Sequence, residues 1–164
     1  FSEPTDVARI LEYLRAETNV RLIGDWQSTA PANWLPTTKS TLSDQDQSLA
    51  QLLDSWLDPV QLGYRVIDSQ TVQITSPRAL ECRMEVEIYP LKGATDQNNT
   101  QWVEELKNHL GASLFADTGG MGEVVFEPES RALLVLLPQP QQRKVAEWLT
   151  TADKLRVTVK ANRE

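Results

Sequence analysis

Apolar residues recur along this chain with two periods, and the two periods predict different elements. In residues 122–149, Val124 and Phe126 fall on one side of an extended segment, which predicts a strand. Residues 132–137 are apolar without a break, a pattern typical of a strand that is covered on both faces. Residues 145–152 then carry apolar positions at helical spacing. The stretch therefore predicts two successive strands and a helix.

Prolines mark the ends of these elements. Pro128 opens a Pro-Glu-Ser sequence that predicts a turn between the two strands, since proline presets a turn dihedral angle. Pro138 cannot donate a ladder hydrogen bond and should end the second strand, whereas Pro140 suits the first turn of a helix. No residue of this stretch is an obvious catalyst, and we interpret it as a scaffold unit.

The first half of the chain carries two helical stripes. They consist of Val7, Ile10, Leu11 and Leu14, and of Leu49, Leu52, Leu53, Trp56 and Leu57. We expect the first helix to begin near Ser2 and to end at Asn19, and the second to begin at Asp44 or Asp46. Strands are predicted at residues 20–23, 39–42, 63–67 and 71–75, the last two forming a hairpin.

The second half repeats the mixture of strands and helices. Met84, Val86 and Ile88 alternate with polar residues and predict a half-buried strand. A helix capped by Asn99 or Thr100 is predicted to carry Trp102, Val103, Leu106 and Leu110 and to end at Gly111. A last strand is predicted from Leu155, Val157 and Val159.

A boundary near residues 76–81 divides these patterns into two blocks. The fold class predicted is α+β, with two small modules at residues 1–78 and 82–164, each with two helices packed on a small mixed sheet. Blocks of this size have a marginal core when alone. We therefore expect them to pack together or to lean on neighbouring molecules.

Charge argues against one large class of partners. The chain has a formal net charge of −7, and its scattered basic residues form no cluster that compensates. Because a phosphate backbone repels such a protein, nucleic-acid binding is not expected.

Other candidate chemistry is sparse. Cys82 is the lone cysteine and His109 the lone histidine, so we expect no disulfide, metal or cofactor. No stretch of the sequence predicts a membrane-spanning helix. The chain starts with Phe1, and we expect it to be a piece of a longer protein that meets a membrane only through its other parts.

The first block resembles the short N-terminal module shared by secretins and TonB-dependent receptors. The likeness rests on Ile10, Leu11, Leu14, Thr18, Val20 and Ile23, followed by Leu49, Leu52, Leu53, Leu57, Leu62, Gly63, Tyr64, Val66, Val72 and Ile74. The connection at residues 26–38 is long for that module.

The second block resembles the next periplasmic module of secretins. The matching residues are Tyr89, Pro90 and Leu91, the helix from Trp102, Val124 to Phe126, Leu133 to Val135, Pro140, Val145 and Leu149. The resemblance implies a non-enzymatic role in protein–protein contact within a cell-envelope assembly such as a secretion or pilus system. It implies a periplasmic or envelope location and, as partners, other proteins or neighbouring copies in a homo-oligomer.

Two alternatives come from other functional classes. Asp117 begins an Asp-Thr-Gly triplet like that of aspartic proteases, which would require a second carboxylate, here from another copy. Trp26 and Trp34 lie in the proline-interrupted connection and could bind a protein partner, a small ligand or a glycan. Alternatively, the two tryptophans fold back into the core of the first block.

Overall fold

The computed structural model describes residues 1–43, 47–91 and 99–161, with residue 99 and residues 152–161 described as backbone alone. The chain divides into two units, Phe1–Cys82 and Arg83–Glu164. Each unit carries helices on a small sheet, which confirms the predicted α+β class.

The first unit contains one sheet of three strands and one of two. Its elements are β1 (Thr5–Asp6), α1 (Val7–Thr18), β2 (Arg21–Gly24), α2 (Trp26–Thr29), β3 (Lys39–Ser40), α3 (Leu49–Leu57), β4 (Gly63–Asp68), β5 (Thr71–Thr75) and α4 (Pro77–Glu81). The larger sheet has the order β2-β5-β4, with β2 parallel and β4 antiparallel to β5. It is therefore mixed, as predicted. β1 and β3 form the smaller, antiparallel pair.

Both helical stripes of the first unit are buried. The core contains Val7, Ile10, Leu11, Leu14, Leu22, Trp34, Leu42, Leu52, Leu53, Trp56, Leu57, Leu62, Tyr64, Val72 and Ile74. Asn19 adopts a left-handed conformation directly after α1, and its N–H donates to the Arg15 carbonyl, so the predicted end of the helix is confirmed. Its predicted start near Ser2 is wrong, because residues 5 and 6 pair with β3 instead.

The second helix also begins later than expected. Ser48 caps α3 by accepting a hydrogen bond from the N–H of Gln51, whose side chain accepts from the N–H of Ser48 in return. This reciprocal pair satisfies two N–H groups that the first helical turn leaves without partners. The predicted start sites, Asp44 and Asp46, lie outside the described residues.

The second unit is built on three antiparallel strands. Its elements are β6 (Met84–Pro90), α5 (Asn99–Leu110), β7 (Glu123–Glu127), β8 (Ala132–Pro138) and α6 (Gln139–Ala161). The order is β6-β8-β7, so the described strands of this unit form an antiparallel sheet where a mixed one was predicted. The core contains Leu91, Trp102, Leu106, Phe115, Val124, Leu133, Val135, Leu137 and Val145.

The turn between β7 and β8 follows the prediction. The Glu127 carboxylate accepts hydrogen bonds from the Ser130 backbone N–H at 2.6 Å and from its hydroxyl at 2.8 Å. These bonds lower the pKa of Glu127 below its ordinary value. Arg131 completes the turn at φ 52°, a conformation that tight turns often require.

The last predicted strand is wrong. Residues 155–159 continue α6, which extends from Gln139 to Ala161 without interruption. The segment between Leu149 and Leu155 contains neither glycine nor proline, so nothing in it ends a helix. Alternation of a few apolar residues predicts a strand poorly when the preceding helix is not terminated. Among the described residues, no helix has both the length and the apolarity needed to cross a bilayer.

Candidate functional site

Asp117 lies at the surface of the second unit in an ion pair. It belongs to a 3-10 turn, Ala116–Thr118, and its Oδ2 lies 2.6 Å from Nζ of Lys107 on α5. The Lys107 hydrogen bond is the main reason why the pKa of Asp117 falls below its ordinary value. Lys107 thus holds Asp117 ionised, with the lysine side chain also 5.7 Å from the centre of the Phe115 ring.

This geometry is opposite to that of an aspartic protease. In such an enzyme two carboxylates share one proton, which requires a raised pKa for one of them. Asp117 instead pairs with a cation, and the glycines that follow it shape a loop. Gly119 has φ 95°, and a Cβ on Gly120 would lie 2.2 Å from the Leu114 carbonyl oxygen. Both glycines therefore have a conformational role.

His109 and Cys82 lie in different units. His109 is in the last turn of α5, and its ring centre lies 6.1 Å from that of Trp148. Cys82 is exposed at the end of α4, in the other unit. Among the described residues, no three His, Cys, Asp or Glu side chains are grouped so as to hold a metal ion.

The tryptophans of the residue 26–38 connection pack against the first core. Trp34 is 2% exposed, stacks on Trp26 at a ring distance of 5.4 Å and meets the edge of Trp56 at 5.7 Å. Trp26 is partly buried against the same cluster. A ligand site formed by both rings needs both at the surface, and Trp34 is not available for that role. Trp26 keeps a partly exposed ring.

The most distinctive surface of the second unit is the outer face of its sheet. Val86 and Ile88 of β6 are 63% and 62% exposed, and Val125 of β7 is 49% exposed. Between them, Leu134 and Leu136 of β8 are partly buried. The register joins the five residues, with Val86 opposite Leu136, and Ile88 and Val125 on either side of Leu134. We call these five residues the outer face.

In β6 the apolar side faces outward and the polar side is partly buried, which is the reverse of an ordinary half-buried strand. Apolar residues of such a strand normally face the core. Here Glu85, Glu87 and Tyr89 are on the side toward α6, and all three are partly buried. The alternation correctly predicts a strand, but the side of β6 that is partly buried is the polar one.

A buried glutamine explains how the polar side is accommodated. Gln142 of α6 is 1% exposed, and its Nε2 donates to the carbonyl oxygens of Glu85 at 2.7 Å and Val135 at 2.8 Å. The Tyr89 hydroxyl lies 2.8 Å from Glu87 Oε2 and 3.0 Å from the Gln142 carbonyl oxygen. Burial is the largest cause that raises the pKa of Tyr89 well above its ordinary value, and the hydrogen bond to the Glu87 carboxylate is the second.

The outer face was missed in the sequence, although a signal for it was present. The unbroken apolar run at residues 132–137 predicts a strand covered on both faces. The core side of β8 is covered by α5 and α6, whereas Val86, Ile88 and Val125 beside it remain exposed. The run predicts a cover on both faces, whereas among the described residues the outer side of β8 is only partly buried.

Comparison with protein-family models and with curated proteins finds no match. Among solved structures, the chain is similar to the type IV competence pilus secretin PilQ of V. cholerae, with 14% identity and a TM-score of 0.34 over 91% of this chain and 36% of that one. It is also similar to the N-terminal domain of the secretin XcpQ from Pseudomonas aeruginosa, with 13% identity and a TM-score of 0.34 over 93% of this chain and 62% of that one.

A third similar structure is the GspC-GspD complex of the type II secretion system of enterotoxigenic Escherichia coli. The identity is 12% and the TM-score 0.33, over 93% of this chain and 95% of that one. The chain thus spans about a third of the PilQ chain and less than two thirds of the XcpQ domain. Likenesses of this size establish neither the family nor the activity of the chain.

Proposed function

We propose that the chain is a pair of non-enzymatic protein-contact modules from a periplasmic or envelope assembly of the secretin type. Residues 1–78 would be the module like that of secretins and TonB-dependent receptors, and residues 82–164 the secretin periplasmic module. The apolar sequence motifs described above, including Tyr89-Pro90-Leu91, support this assignment. The observation that carries the contact role is the exposed outer face.

The outer face is suited to protein contact for two reasons. It joins three strongly exposed aliphatic side chains of β6 and β7 through two leucines of β8, the strand between them, and contiguous apolar surface of this kind is uncommon unless another protein covers it. Its centre also carries no charge, because the outward positions of β6 between Met84 and Pro90 and those of β8 are all apolar. Two copies can therefore meet there without burying an unpaired charge.

We propose neighbouring copies of this chain as the cover. Sheets stack face to face through side chains of this size at a spacing of about 10 Å. The acidic Glu123 and Glu127 flank Val125 on the edge strand β7, opposite Leu136 and Ala132, where both would stay at the rim of such a contact. The Asp117 ion pair and the burial of Trp34 give no support to the hydrolase and glycan-binding alternatives.

Sedimentation equilibrium tests the proposal. The variant combines Val86→Thr and Ile88→Thr, which keep the β-branched shape while making the face polar. A matched control combines Val66→Thr and Ile67→Thr, since these residues of β4 are also an exposed Val and Ile, each 44% exposed. We expect the mean mass of the wild type and the control to rise with concentration from 18.5 kDa, and the outer-face variant to remain monomeric.

Two results would contradict this function. Equal self-association of the outer-face variant and the wild type would show that copies meet elsewhere. A wild type that stays monomeric at all concentrations would show that copies of this chain do not bind to the outer face.

A further inference from the structure

The edge strand β2 and the helix α1 enclose a groove in the first unit. The groove has a volume of about 330 Å³ and is lined by Ala8, Leu11, Glu12, Arg15, Arg21, Leu22, Ile23, Gly24 and Trp26. β2 is an outer strand of its sheet and pairs with β5 on one side. The groove therefore follows a strand edge, with apolar residues along it and the partly exposed Trp26 at one end.

Backbone groups of β2 are directed to this open edge. The N–H groups of Arg21 and Asp25 donate to carbonyl oxygens next to or within β5, at 2.7 Å and 2.8 Å. Successive N–H groups along a strand point to opposite edges, so those of Leu22 and Gly24 point away from β5. A further strand placed beside β2 would meet these groups.

A second cavity of about 360 Å³ adjoins the groove and is polar. It is lined by Arg15, Asn19, Arg21 and residues 68–71, so the same two arginines border both cavities. Neither arginine forms an ion pair with a carboxylate of the described residues. Asp68 is in the cavity but accepts a hydrogen bond from the Gln70 backbone N–H at 2.8 Å. That hydrogen bond is the main cause of the lowered pKa of Asp68, and Arg21 also contributes to it through its charge. Neither guanidinium is held in an ion pair within the described part of the chain, so both can still bind a carboxylate from outside.

We propose that this groove binds an extended, acidic segment of a partner protein, which adds to β2 as another strand and places a carboxylate between Arg15 and Arg21. Strand addition at a sheet edge supplies main-chain hydrogen bonds, and pockets beside the edge select side chains. Arginine is well suited to bind a carboxylate through paired N–H groups. Glu12, one helical turn before Arg15, also lines the groove and repels any acidic residue of the segment that lies beyond the two arginines.

The negative charge of the whole chain contrasts with the two arginines at this groove. At −7 the protein repels acidic peptides in general, so an acidic peptide can be selected only by a local cationic feature. The groove is in the first unit and the outer face is in the second. The groove proposal therefore stands or falls separately from the self-association described above.

The test is the selection of random heptapeptides displayed on phage against the immobilised full chain. A parallel selection uses the variant Arg15→Glu with Arg21→Glu. The matched control is Arg9→Glu with Arg78→Glu, which makes the same change in charge at two exposed arginines of the same unit that line neither cavity. Circular dichroism of all three proteins checks that each one is folded.

We expect the wild type and the control to enrich peptides rich in Asp and Glu, and the Arg15/Arg21 variant to lose that enrichment. A synthetic copy of the recovered peptide should bind the Arg15/Arg21 variant about tenfold more weakly than the wild type. In ¹⁵N-resolved spectra it should shift the amides of Leu22 and Gly24 and the indole of Trp26.

Three results would overturn the inference. They are recovery of neutral or basic peptides or of none, equal affinity for the Arg15/Arg21 variant, and amide shifts confined to residues away from β2.

Discussion

Gln142 donates a hydrogen bond of 2.7 Å from its Nε2 to the carbonyl oxygen of Glu85, and this bond joins α6 to the edge strand β6. The same nitrogen donates to the Val135 carbonyl oxygen at 2.8 Å, so one side chain connects the helix with two strands. Because Gln142 is buried, these oxygens have little access to water if the amide is removed.

Replacing Gln142 by Leu should therefore lower the free energy of unfolding by about 2 kcal/mol, since buried carbonyl groups lose their donor. Urea denaturation of the full chain measures this. The matched control is Gln141→Leu, because Oε1 of that neighbouring glutamine has no hydrogen-bond partner among the described residues. A control that loses as much stability as Gln142→Leu would show that the bonds to the strands are not the cause.

Tyr89 should make the stability of the second unit depend on alkaline pH. Its pKa is raised above the ordinary 10.0, so the folded state holds the phenol proton more tightly than the unfolded chain. The resulting stabilisation is fully present below pH 10.0 and is lost as the pH rises from there through the folded-state pKa.

The measurement is the difference in unfolding free energy between the wild type and Tyr89→Phe at a series of pH values. We expect this difference to be constant near neutrality and to change above the ordinary tyrosine pKa. In Glu87→Gln, ultraviolet absorbance should show phenolate formation at lower pH, because a nearby negative charge has been removed. A constant difference up to strongly alkaline pH would be incompatible with the geometry around Tyr89.

Lys107 should control the ionisation of Asp117. In Lys107→Met, the pKa of Asp117 should return toward its ordinary value of 3.8, because the main cause of its lowering is absent. Carbon NMR of the carboxyl group during an acid titration measures this change. A pKa of Asp117 above 3.8 in the wild type would instead indicate a shared proton and would revive the protease hypothesis.

The two tryptophans of the residue 26–38 connection should differ in their effect on stability. Trp34→Ala should lower the unfolding free energy by about 3–5 kcal/mol, since it leaves a cavity beside Trp26 and Trp56. Trp26→Ala should cost less, because that ring is partly exposed. Chemical denaturation of both variants compares them, and equal losses would contradict the different burial of the two rings.

Much of the fold was predictable because its signals are local. The stripes of α1, α3 and α5, the hairpin of β4 and β5, and the turn at Pro128 each depend on residues a few positions apart. The wrong predictions, at the start of α1 and at residues 155–159, concern places where a distant strand or an unterminated helix determined the outcome.

The residue pattern alone is enough to give β6 one apolar and one polar side and to make β8 apolar on both. Which side of β6 meets α6 depends on the packing of distant elements, because alternation distinguishes two faces without saying which one is covered. Gln142, far along the chain, provides hydrogen bonds where the polar side is buried. In the same way, folding of the connection decided that Trp34 belongs to the core, since a lone tryptophan between prolines carries no period.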